Sequence, residues 1–131
     1  CGTIPRIRRG EETMTATTLA PALFTLAAAK VAPNSPGRLS AEIFRHGTLE
    51  LRWYAPKGTD TQVPHTRDEI YVVVSGHGFF RRGEERFAFG PGDVQFVAAQ
   101  VPHRFEDFSD DFGCWVVFYG AEGGEMDRKE G

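Results

Sequence analysis

Turn-forming residues recur between positions 47 and 120, and with the many aromatics they favour a β-rich fold over a helical bundle. Gly47 opens the series, followed by a loop holding Pro56, Gly58 and Asp60. Then come Gly76-His77-Gly78, Gly83-Glu84-Glu85, Gly90-Pro91-Gly92-Asp93 and Asp110-Asp111. The stretches between them are short and rich in aromatic and β-branched residues. Thr48–Tyr54 alternates, with Leu49, Leu51 and Trp53 on one face and Arg52 opposite them. Glu69–Ser75 and Phe112–Tyr119 are apolar on both faces and predict buried strands. Phe79–Arg82 and Arg86–Phe89 predict a hairpin, and Val94–Ala98 and His103–Phe108 two further strands. Roughly eight short strands at this rhythm predict an all-β sandwich or small barrel.

The segment before Gly47 has a different texture. Its Ala- and Leu-rich run predicts a helix capped by Thr18 and stopped after Val31 by Pro33 and Pro36. Ser40 is a candidate cap for a second helix, with Leu39, Ile43 and Phe44 on one side and His46-Gly47 at its end. The 131 residues, 40% hydrophobic and 25% charged, then divide into four parts within one domain. Residues 1–13 are expected to be a non-native or disordered leader, 14–46 a helical arm, 47–120 a barrel and 121–131 a frayed polar tail.

The net charge is -3. Arg6, Arg8 and Arg9 form the one basic cluster, so a nucleic-acid partner is not expected. No apolar run approaches the ~20 residues of a membrane helix, and no membrane partner is expected. Leu19–Ala29 is interrupted by Pro21 and Thr25 and lacks a basic flank after Met14, unlike a secretion signal. The two cysteines, Cys1 and Cys114, read as free thiols of a reducing, cytoplasmic compartment, with Cys114 in the core.

His65 and Glu69 are four residues apart, so on a strand they share one face. His103 follows Pro102 on a separate strand. Two imidazoles and a carboxylate meeting inside a β cavity would form a facial metal site with open positions. Tyr71 has the parity of Glu69 and is a candidate for the cavity wall. Arg52 reads as a surface residue or as a reader of an anionic substrate. Asp107 has the parity of His103, as a candidate to orient that imidazole. His46 and His77 read as surface residues.

Pro64-His65-Thr66-Arg67-Asp68-Glu69-Ile70, followed by Gly76, resembles the first motif of the cupin family. Gly92, His103 and Asp107 are similarly spaced to its second motif. The resemblance covers about residues 47–120 and implies a double-stranded β-helix, a jelly-roll barrel, of the small bacterial type. It also implies a divalent metal (iron, zinc, nickel or manganese) on His65, Glu69 and His103. Val63 stands where the family has the first His of a His-x-His pair, and Ala98 and Gln100 replace its Pro and Gly. Gln62 and Asp107 are candidates for a fourth ligand or a supporting contact. The implied function is a metal-dependent enzyme on a small organic molecule, of dioxygenase, lyase or isomerase type. A ligand-binding module without turnover is the alternative. Tyr71, Arg52 and Phe105 are the candidate pocket lining, and a homodimer is the expected assembly.

Overall fold

The computed structural model describes residues 21–126. A short helix, α1 (Leu26–Val31), leads into eight strands: β1 (Ala41–His46), β2 (Leu49–Tyr54), β3 (Asp68–Ser75), β4 (Gly78–Arg82), β5 (Glu85–Phe89), β6 (Val94–Val97), β7 (His103–Glu106) and β8 (Gly113–Tyr119). They form a five-stranded sheet in the order β1-β2-β8-β3-β6 and a three-stranded sheet in the order β5-β4-β7. Every pairing is antiparallel. No helix among the described residues is long and apolar enough to cross a membrane.

The inner faces of the two sheets meet over an aromatic core. Tyr71, Phe80, Phe89, Phe105 and Phe112 are all buried in it, with Phe105 at 4.6 Å from Phe112 and 4.9 Å from Tyr71 between ring centres. Cys114, fully buried, fills a small gap there, as its parity predicts. Gly76 shows why a glycine closes β3. Its φ is +85°, and a Cβ would stand 2.4 Å from the Phe112 Cα, too close for any side chain.

Four expectations change. The segment after Ser40 is a strand, not a helix. Ala41–His46 pairs with β2 from Ala41↔Trp53 to His46↔Leu49, with an irregularity between Glu42 and Phe44. A run this short carries too little periodicity to choose its own state, and the open edge of β2 decides it. The first helix is seen from Leu26, capped by the Thr25 hydroxyl, which accepts from the Ala28 N–H at 3.2 Å. The proposed Thr18 cap lies outside the described residues.

Strand β2 is also turned over. Glu50, Arg52 and Tyr54 face inward, while Leu49 and Leu51 face outward. Trp53 is nevertheless buried on the outer side, edge-on to Trp115 at 5.2 Å. Arg52, expected at the surface, is 1% exposed. It donates to Ser40 Oγ (2.6 Å), the Ser40 carbonyl (2.9 Å), Ser35 Oγ (2.7 Å) and Glu50 Oε2 (2.5 Å). A buried guanidinium is tolerated because its donors find acceptors and a counter-charge.

Residues 120–126 are tied down rather than frayed. The Gly123 N–H donates to the Thr66 carbonyl at 2.6 Å, and the Glu125 N–H to Asp68 Oδ2 at 2.8 Å.

Candidate metal centre

Strand β3 points Glu69 and Tyr71 into the barrel, and β7 does the same with His103 from the opposite sheet. His65 precedes β3 in the loop that follows Tyr54. One ligand atom from each of His65, Glu69 and His103 can be chosen so that all three lie within 4.8 Å of one another. Glu69 is 2% exposed. Its Oε1 stands 3.1 Å from His103 Nε2, and its Oε2 4.0 Å from His65 Nε2.

Local hydrogen bonds set the orientation of each group. His103 Nδ1 lies 2.7 Å from the Val101 carbonyl. A carbonyl only accepts, so Nδ1 carries a proton and Nε2 faces the cavity. Nε2 aligns with the Tyr71 hydroxyl at 3.0 Å rather than with Glu69 Oε1, and that oxygen makes no hydrogen bond of good geometry. Tyr71 donates to Gln62 Oε1 at 2.9 Å, and the same oxygen lies 3.2 Å from His65 Nε2.

The titration tendencies follow from this packing. Burial pushes the His65 imidazole below its ordinary value. Glu69 opposes that, while His103 and Arg38 add to it. Burial also acts on His103, but the Glu69 carboxylate and the Val101 carbonyl outweigh it and hold its pKa up. Tyr71 is raised well above the usual phenol, by burial first and then by Glu69, so it stays protonated.

These groups border a pocket of about 390 Å3. His65, Glu69, Tyr71 and Gln62 supply its polar wall, and Val63, Val116, Phe118 and Leu39 its apolar one. His103 sits behind Glu69 and Tyr71, its side chain 1% exposed. Of the candidate lining residues, Tyr71 is in place, whereas Arg52 and Phe105 are absent from this wall. Arg52 serves the network above, and Phe105 belongs to the core, where its ring packs among other aromatics. Asp107 is also elsewhere. Its backbone turns left-handed at φ 49° and its exposed carboxylate pairs with Arg86 at 2.7 Å. The contact that orients His103 comes from Val101 instead.

Two participants escaped the sequence. Asp60, in a segment legible only as a loop, is buried and serves as the hub of the site. It accepts from the Tyr54 hydroxyl, from Gln62 N and Nε2 (3.1 and 2.6 Å) and, across the barrel, from the Phe105 N–H (2.8 Å). Those bonds hold Gln62 against His65 and Tyr71. Arg38 is the second, and it enters the pocket wall from the loop before β1. No local pattern marks either residue, because each acts through partners distant in sequence.

Residues 51–119 match the cupin domain family. The chain belongs to the cupin family. A stretch of 60 residues is 43% identical to an uncharacterized protein of Streptomyces coelicolor, covering 46% of this chain. That stretch spans 57% of the relative's own length. Among solved structures, a Cupin 2 conserved barrel domain protein from Salinispora arenicola has a TM-score of 0.59 at 19% identity, over 79% of this chain and 92% of that one. An RmlC-like cupin family protein with a double-stranded β-helix fold from Methanocaldococcus jannaschii has a TM-score of 0.54 at 11% identity, over 61% and 77%. At these identities the likeness is one of fold. The cupin barrel is therefore a double-stranded β-helix preceded by a short helix.

Proposed function

We propose that this cupin holds one divalent metal ion on His65, Glu69 and His103 and uses it to transform a small organic molecule in the adjoining pocket. The observation that carries the reading is Glu69 Oε1. It is a buried carboxylate oxygen without a hydrogen bond, facing two imidazoles. A buried carboxylate requires a cation. Two imidazoles and one carboxylate, all able to bind through lone pairs, form a donor set that fits zinc, iron, nickel or manganese.

A bound ion would supply Lewis-acid polarisation of a substrate oxygen or, as iron, O2 activation. The chain's own residues do the rest. Val101 keeps the His103 lone pair aimed inward. Gln62 stands nearest the position left by Val63 and presents its carbonyl oxygen to the site. Tyr71 stays protonated between His103 and Gln62, and its hydroxyl hydrogen goes to Gln62 Oε1, which holds that amide beside His65. Phe118 and Val116, both buried, form the apolar wall for the substrate's hydrocarbon part.

Metal content by mass spectrometry on anaerobically purified protein tests the reading, beside His103→Ala. About one ion per chain, lost in the variant, is the expected result. No ion in either protein after reconstitution would overturn it.

A ligand-binding module without turnover is the second reading. Val63 favours it, because the donor set is one imidazole short and this side chain, 68% exposed, leaves that side of the pocket open. A homodimer in a reducing, cytoplasmic compartment completes the proposal. The exposed Leu49, Val94 and Phe96, together with the single described cysteine kept as a buried thiol, support it. A monomeric mass in light scattering would remove the dimer.

A further inference from the structure

The loop Ser35–Ser40 is held in place by charge buried in the barrel. Arg52 bonds Ser35 and Ser40 from within. Ser35 N–H donates to the Ser40 carbonyl at 3.0 Å, and Arg38 N–H to the Ser35 carbonyl at 2.9 Å. Gly37 makes the turn at φ +71°. The result is a hydrogen-bonded turn that places Arg38 at the wall of the pocket that His65 and Glu69 line. Arg38 also borders a neighbouring cleft of about 530 Å3 that holds Arg45 and Arg67. Arg45, Arg52 and Arg67 all contact the carboxylate of Glu50, and Glu42 also pairs with Arg45 at 2.8 Å and lies 3.7 Å from Arg52. Among the described residues no carboxylate pairs with the Arg38 guanidinium, and Arg38 borders both cavities.

We infer that Arg38 binds the carboxylate of a small organic acid whose hydrocarbon body lies along Val63, Val116 and Phe118 and whose other end reaches His65 and Glu69. This deepens the proposed function by naming the substrate class. Arginine matches a carboxylate through two parallel N–H donors. The apolar wall and the apolar rim at Leu39 suit a branched or aromatic body. Arg38 is thus a residue for specificity, and Arg52 a positioning residue that acts through the loop.

The test uses matched pairs, isobutyrate with isobutyramide and benzoate with benzamide. Calorimetric titration is run on wild type and on Arg38→Gln, both metal-loaded and after chelation. In wild type at least one acid should bind about tenfold or more tightly than its amide, with an affinity that falls as salt rises. In Arg38→Gln that preference should shrink about tenfold while the melting temperature and metal content stay unchanged. Arg38→Lys, which keeps the charge but not the fork, should retain part of it. Equal binding of acid and amide by wild type, an unchanged preference in Arg38→Gln, or no binding of either acid would overturn the inference. Metal content separates the two readings. An Arg38-dependent preference in a chain that never takes up metal upholds the acid site and removes the metal. Metal uptake with an Arg38-independent preference does the reverse.

Discussion

Glu69 Oε1 lies 3.1 Å from His103 Nε2, and neither atom has a proton that local bonding requires it to carry. Tyr71 has one hydroxyl hydrogen for two neighbours, Gln62 Oε1 and His103 Nε2. When Tyr71 donates to Gln62, His103 either takes a second proton and becomes the counter-ion of Glu69 or gives its lone pair to a metal. The two occupants compete for one place, so metal uptake displaces a proton.

Glu69→Gln keeps the shape and removes the charge. Its metal affinity should fall by more than the roughly 100-fold loss seen when only a supporting contact is removed. The fold should persist, because an amide is cheaper to bury than a carboxylate. Chelator competition and a melting curve on the same samples check both halves.

Val63→His should tighten metal binding. The side chain faces the pocket beside Gln62, and the substitution adds a third imidazole to the donor set. Competition against a chelator of known affinity reads the change. An unaltered affinity would mean that position 63 does not reach the ion.

Arg52→Met should destabilise the barrel by about 3–5 kcal/mol, the usual result of breaking a buried ion pair. Glu50 would keep Arg67 at 3.0 Å, which places the cost at the lower end. Hydrogen exchange should quicken most at residues 35–40, whose loop loses its anchor.

Gly76→Ala should cost about 2–3 kcal/mol, combining left-handed backbone strain with the collision against Phe112. Chemical denaturation measures it. An alanine accepted without loss would show that the β3–β4 turn relaxes freely.

Acid stability should depend on Glu106. Hydrogen bonds from Arg81, Arg86 and Arg104 lower its pKa from 4.5 to about 2. A depressed carboxylate stabilises the fold above its unfolded pKa, and that contribution is lost as pH falls through the folded one. Wild type should therefore lose its advantage over Glu106→Gln between about pH 4.5 and pH 2. The carboxylate is shared at the surface, so added salt should shrink the difference. Melting temperatures of both proteins across that range check the sign.

Seven of the eight strands, and the glycine turns between them, are legible in the sequence because they depend on neighbouring residues. Alternation fixes which side chains share a face, and glycine marks left-handed turns such as Gly76 and Gly92. The four-residue spacing of His65 and Glu69 is not of that class, because His65 stands in the loop before β3 and approaches Glu69 from outside the strand. Tertiary structure decided what requires distant partners. Strand β1 exists because β2 offers it an edge. The inward face of β2 is the charged one, since Arg52 finds Ser35, Ser40 and Glu50. Asp60 gathers Gln62, Tyr54 and Phe105 only after the barrel closes. Pattern determines which residues can point together. Barrel closure determines which of them meet, because hydrogen-bond partners and counter-charges far apart in the chain choose the face that is buried.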